Sequence, residues 1–145
     1  MNRDFKKCLE RKKIIPFAKG PDLIQKELMT SEDDLESARL GLKLKKFKWP
    51  TIQAYYSMFH SARALLYSEG FREKSHYCLL VAIKALFVEK GLLEMKFYDA
   101  FYAGMILREN AVYKSEFSES AALAIIKNAS DFLQRVCKIL VITSK

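Results

Sequence analysis

Apolar positions recur at helical spacing along almost the whole chain. Between about residues 22 and 47, Ile24, Leu28, Leu35, Ala38 and Leu42 fall three, four or seven apart on one face. Ser31 with Asp34 three residues on reads as a capping box, which allows either one kinked helix or two helices. The element must end by Trp49, because the residue before a proline is pushed out of the α region, and Pro50 suits the first turn of a new helix. That new helix, "TIQAYYSMFHSARALLYSEG", carries Tyr55, Phe59, Ala62 and Leu66 on one stripe, with Ile52, Tyr56, Met58 and Leu65 widening it. So broad an apolar face predicts a central helix covered on several sides. Gly70 is placed to end it in a left-handed conformation.

A fourth helix is predicted from about Ser75 to Lys90, with Leu79, Ile83, Leu86 and Phe87 inward and Gly91 closing it. A fifth spans about Glu94 to Asn110, with Phe97, Phe101, Gly104 and Arg108 on one stripe and Tyr98, Tyr102, Met105 and Glu109 beside it. A last helix starts near Ser118 and buries Ala122, Ile125, Ala129, Phe132, Val136 and Leu140. Ahead of all these, roughly residues 2–13 form a short basic helix, and "IIPFAKGP", with two prolines and a glycine, reads as a loop. The pattern predicts an all-α, up-and-down bundle of about five to six helices. It forms a single domain over 1–145, with the bundle in 22–141 and a basic N-terminal extension over 1–20.

Composition narrows the class. Half of the 145 residues are apolar, and only five are Gly and three Pro, which excludes a disordered chain and argues against an all-β fold. No uninterrupted run of about 18 apolar residues exists, so no membrane span is expected. The charged start, "MNRDFKKCLERKK", lacks the apolar core of a signal peptide and implies a cytoplasmic protein. Cys8, Cys78 and Cys137 are odd in number and widely spaced, with no CxxC pair, and read as reduced thiols. The net charge is +8, and residues 39–48, "RLGLKLKKFK", hold Arg39, Lys43, Lys45, Lys46 and Lys48 without an acid. Such a run either meets phosphates or lies at a helix C-terminus, where cations complement the dipole.

Common enzyme constellations are missing. The five glycines are isolated, so no phosphate loop is formed. Neither HExxH, nor a Glu-x-x-His pair, nor a Cys/His cluster supports a metal site, and no cofactor is expected. The acidic stretch "SEDDLE" (31–36) is explained by a helix N-terminus.

The stretch "AYYSMFHSARALLYSEGFREKSH", followed by "GLL" and by an Arg near the end of the penultimate helix, resembles the HEPN domain family (higher eukaryotes and prokaryotes nucleotide-binding), and its small single-domain prokaryotic branch in particular. The resemblance covers roughly residues 22–141. It implies a helical bundle of four to six helices that is typically a homodimer. It also implies one of two roles: a metal-independent endoribonuclease with an Arg-x(4–6)-His motif, or the companion of a minimal nucleotidyltransferase in a toxin–antitoxin pair. One motif variant reads Arg-x4-His-x-Tyr. Arg108 stands at the arginine position, but Tyr113 occupies the first place allowed to the histidine, and Lys114 and Ser115 fill the others.

The missing histidine bears on chemistry. Metal-free RNA cleavage needs a group that takes a proton from the 2′-hydroxyl and another that gives one to the leaving oxygen. Imidazole does both near neutral pH, whereas a tyrosine hydroxyl, with a pKa of about 10, is mostly a donor. Arg108 alone can hold a phosphate by paired hydrogen bonds. The expected function is therefore a nucleotide- or RNA-binding HEPN protein, non-catalytic or weakly catalytic, paired with a minimal nucleotidyltransferase. The alternative is a metal-independent endoribonuclease with a non-standard base. The candidate binding residues are Arg108, Glu109, Asn110, Tyr113 and Arg63, with Arg108 also the candidate catalytic residue.

Each candidate also has a plainer reading. Arg63, one turn beyond Phe59 in an apolar helix, is too costly to bury unpaired and should form a salt bridge if it does not join Arg108 and Asn110. Tyr113 either packs structurally or, as the resemblance implies, matches a tyrosine that a partner nucleotidyltransferase modifies. His60 is expected as a hydrogen-bonded interior or interface residue. His76 is expected to be exposed, in a helix-capping turn. The spacing places neither beside Arg108.

Overall fold

The computed structural model describes residues 2–143 of the chain, with side chains through Val141. Six α-helices and a two-stranded ribbon follow in the order α1 (Arg3–Glu10), β1 (Ile14–Pro16), α2 (Gly20–Lys43), α3 (Lys48–Ser68), β2 (Phe71–Glu73), α4 (His76–Ile83), α5 (Met95–Tyr113) and α6 (Glu119–Thr143). This is the expected all-α bundle. α4 runs on into a short π-helical turn over Lys84–Val88.

α3 is the central rod. Fourteen of its 21 residues are buried, which only a helix covered on several sides can achieve. It packs on α2, α5 and α6. Around it Tyr55, Met58, Leu65 and Leu66 meet Phe101 of α5 and Ile125 and Phe132 of α6, all almost fully buried. Burying each side chain of this size is worth about 1.5–3 kcal/mol, so this seam carries much of the fold.

Three local expectations are corrected. Ser31 does not cap a helix, because α2 is continuous from Gly20 to Lys43. Ser31 is fully buried, and its hydroxyl meets the Ser57 carbonyl and the Ser57 and Ser61 hydroxyls on α3 at 2.7–3.0 Å. A small, self-satisfied polar cluster therefore lets two helices approach closely where a cap was expected. The segment "IIPFAKGP" is not all loop, since Ile14–Pro16 pairs antiparallel with Phe71–Glu73, Ile14 opposite Glu73. Pro16 is tolerated because the ribbon has only two strands and hence two edges. Finally, Cys8 and Cys78 are not reduced thiols. They form a disulfide with Cα atoms 5.9 Å apart, and Cys137 alone is free.

The N-terminal extension is therefore fastened to the bundle. Phe5 and Cys8 are the buried residues of α1, three apart on one face. Phe5 packs edge-on against Phe71, the disulfide joins α1 to α4, and the ribbon lies between. The Asn2 side chain caps α1 at the Phe5 amide and donates to Glu89 at 2.6 Å. The basic run 39–48 falls at the C-terminus of α2 and in the turn to α3, with Lys43 in the last turn of α2. That is where the dipole reading placed it. Gly70 and Gly91 both take positive φ, at 78° and 75°, as expected of helix-terminating glycines.

Candidate functional site

Arg108 lies in the last turns of α5, five residues before its end at Tyr113, on the side that faces α3. Its Nη2 donates to the Tyr56 hydroxyl at 3.1 Å. The guanidinium carbon sits 5.9, 5.7 and 5.9 Å from the ring centres of Tyr55, Tyr56 and Tyr113. Three aromatic faces thus hold the fork in place, an arrangement favourable to a cation. Its Nε is buried and makes no hydrogen bond among the described residues. A buried donor left unsatisfied costs about 1–3 kcal/mol, so an acceptor supplied here would be rewarded.

Against the same Tyr55–Tyr56 pair stands His76, the first residue of α4. It is neither exposed nor a capping residue. The cap is Ser75, whose hydroxyl accepts from the Cys78 amide at 3.1 Å. The His76 ring is tilted over Phe59 with centroids 4.6 Å apart and is stacked on Tyr55 at 5.8 Å. Its Nδ1 lies 2.6 Å from the Tyr55 hydroxyl. Sequence reasoning missed this because Tyr55 and His76 are 21 residues apart and α4 is tied down by long-range contacts, the disulfide at Cys78 and the ribbon just before it.

The protonation states follow from the surroundings. Burial pushes the Tyr55 hydroxyl far above its ordinary value, so it keeps its proton at any physiological pH. Tyr55 is completely buried, and His76 Nδ1 is its hydrogen-bond partner among the described residues. Burial, followed by the charge of Arg108, holds His76 below its ordinary value, so the ring is neutral near pH 7. A neutral imidazole whose Nδ1 accepts from tyrosine carries its own proton on Nε2. His76 and Arg108 therefore both present N–H groups beside the Tyr55 and Tyr56 rings. Each is a donor suited to an anionic oxygen. A proton-abstracting lone pair at Nε2 would first require Tyr55 to turn from donor to acceptor.

The other candidates are more dispersed. Arg63 does not join Arg108. It makes a two-pronged ion pair with Glu73 of β2, Nε to Oε1 at 3.1 Å and Nη2 to Oε2 at 2.7 Å, and touches Glu27 at 3.5 Å. The salt-bridge reading of Arg63 is the observed one. Its guanidinium also covers the Phe59 ring at 4.5 Å. Glu27 extends the chain of charges to His60, whose Nδ1 meets its Oε2 at 2.5 Å, while His60 Nε2 lies 3.8 Å from Asp34. His60 is thus a hydrogen-bonded residue between α2 and α3. Glu109 and Tyr113 are exposed, Tyr113 at 73%. Asn110 is half-buried, and its carbonyl accepts from the Lys114 and Glu116 amides to close α5. No group of three or more potential metal ligands occurs among the described residues. No helix among them is long and apolar enough to cross a membrane.

Comparison with known proteins bears on the family of the chain. The HEPN domain matches residues 24–140. A protein of Methanocaldococcus jannaschii named "Putative toxin" is 30% identical over 118 residues, which is 81% of this chain and 88% of that protein. A protein of Pyrococcus horikoshii named as a UPF0332 protein is 35% identical over 74 residues, about half of each chain (51% and 52%). Another UPF0332 protein, from Archaeoglobus fulgidus, is 29% identical over 120 residues, 79% of this chain and 92% of its own.

Proposed function

This chain belongs to the HEPN domain family, and from that premise we propose that it is the toxin-type member of a toxin–antitoxin pair that works by binding the phosphate of RNA or of a nucleotide. The observation that carries the reading is Arg108, a guanidinium held among three tyrosine rings with its buried Nε unspent, and a neutral His76 against two of the same rings, Tyr55 and Tyr56. Both groups donate, and a phosphate oxygen accepts. Asn110, Glu109 and Tyr113 border the same end of α5 and would contact the rest of the ligand or a partner. The relative named as a toxin supports the toxin–antitoxin setting.

A homodimer fits the surface beside this site. Tyr102, Ile106, Val112 and Tyr113 of α5, Phe117 of the loop after it and Leu123 of α6 are all exposed apolar side chains. Exposed apolar side chains gathered at one end of two helices suit an interface between copies. A minimal nucleotidyltransferase is the proposed hetero-partner, with exposed Tyr113 within its reach.

A second reading is favoured by one observation, the presence of an imidazole beside Arg108 where the motif lacks one. His76 would then be the base of a metal-independent endoribonuclease, after Tyr55 has turned to accept from Nδ1. Labelled RNA incubated in EDTA with the wild type, Arg108→Ala and His76→Ala separates the two readings, with light scattering to read the mass. Retarded but intact RNA, lost in Arg108→Ala, supports binding. Cleavage that needs both residues and leaves a 2′,3′-cyclic phosphate supports the enzyme. RNA neither bound nor cleaved by a folded protein overturns both.

A further inference from the structure

The fastened N-terminal extension brings a second set of charges to His76. Lys7 and Arg11 from α1, Lys13 ahead of β1 and Tyr77 of α4 line a cleft of about 350 Å³ around the Cys8–Cys78 disulfide. Asp4 is the acidic residue in it. A neighbouring cleft of about 340 Å³ is lined by Arg63, Arg72, Lys74 and His76, with Glu73 already paired to Arg63. Ser75 lines both, so the two clefts adjoin at the start of α4. The ribbon sets this order, since the Lys74 amide donates to the Lys13 carbonyl at 2.8 Å and Ile15 faces Arg72. Lys7, Arg11, Lys13, Arg72 and Lys74 are exposed, and none makes an ion pair among the described residues. Tyr77 exposes 55% of its surface amid these charges.

We propose that α1, β1 and β2 form a track for single-stranded RNA, in which Lys7, Arg11, Lys13, Arg72 and Lys74 follow the phosphates toward His76 and Tyr77 stacks on a base. The proposal rests on the phosphate-binding reading of the Arg108–His76 site and extends it to the class and direction of the ligand. Unpaired cations neutralise successive phosphates and release counterions. An exposed aromatic ring among them takes the face of an unstacked base, which a single strand offers and a duplex does not. An acidic protein surface would match the charge but would leave Tyr77 without this role. The disulfide holds the track in place against α4.

The test is fluorescence anisotropy of a labelled single-stranded RNA at several salt concentrations. The wild type is set beside Lys7→Gln/Arg11→Gln/Lys13→Gln, Tyr77→Ala and Arg108→Ala, with polyglutamate as competitor. The triple variant alters exposed side chains only, and its melting temperature is read in parallel. The slope of log affinity against log salt should fall by about 2 in the triple variant, at about 0.7 per phosphate contact on a single strand. Affinity at about 0.1 M salt should drop at least ten-fold, and Tyr77→Ala should weaken binding by about ten-fold with the slope unchanged. If Arg108→Ala loses binding while the triple variant and Tyr77→Ala bind as the wild type does, the track is overturned and the site stands. Polyglutamate that binds as tightly as RNA, indifferent to Tyr77→Ala, overturns the track in favour of an acidic protein partner. If the folded wild type binds no RNA, the reading of the site itself fails.

Discussion

Reduction of the Cys8–Cys78 disulfide should destabilise the protein by several kcal/mol. The two cysteines are 70 residues apart, and the bond closes that loop in the unfolded chain as well as in the folded one. In the chain-entropy account, the lost freedom of a loop this long corresponds to about 4 kcal/mol at 25 °C. For a domain of this size, 1 kcal/mol moves the melting temperature by about 2–4 °C, so the full shift is about 8–16 °C. Both sulfurs are buried, Cys8 at 3% and Cys78 at 5% exposure, so the reduced thiols can stay where they are as small apolar groups. Urea melts of oxidised and reduced protein measure the difference. Thiol titration in denaturant should count one thiol before reduction, Cys137, and three after. Three thiols before reduction, or coincident melts with one, would refute the reasoning.

Other consequences follow from particular contacts. Glu73 is 5% exposed and forms both prongs of the Arg63 pair, so Glu73→Gln should cost about 3 kcal/mol in urea melts by leaving a half-buried guanidinium with only Glu27 at 3.5 Å. A Cβ on Gly20 would lie 2.7 Å from the Tyr67 carbonyl oxygen, a backbone atom that cannot swing aside, so Gly20→Ala should destabilise where an exposed helix position would gain from alanine. For Glu27, burial raises the carboxyl pKa, but the hydrogen bond and charge of His60 and the charge of Arg63 bring it below the ordinary 4.5. A depressed carboxylate lends stability above its unfolded value and loses it as pH falls through the folded one. Stability should therefore decline below about pH 4.5, and the decline should be shallower in Glu27→Gln. Parallel acid limbs in urea melts of the two proteins would contradict that assignment.

Helices were legible wherever burial imposed a period. The stripes of α3, α5 and α6 stand in the sequence because each of these helices must present apolar residues to the same core. Their caps were less legible. Ser31 of α2 carries the type and spacing of a capping residue, yet its hydroxyl meets two serines on α3, 26 and 30 residues away, that no local signature reveals. The β1–β2 ribbon escaped because each strand is three residues long and one holds a proline. Arg108 could be singled out from its place near the end of the penultimate helix. His76 could not be joined to it. The link runs through Tyr55 and through an α4 whose start is fixed by the ribbon and by a disulfide, both long-range contacts between residues with no local pattern.

The account turns on His76 and Arg108 being donors aimed at a phosphate, and nitrogen-15 NMR of the histidine rings and arginine side chains reads this directly. Near pH 7, His76 should show a protonated Nε2 and an unprotonated Nδ1, and both that Nε2 and Arg108 Nε should shift when a short single-stranded RNA is added, but not in the presence of an uncharged nucleoside. A His76 protonated at Nδ1, or signals from both residues that stay in place with RNA, would contradict it.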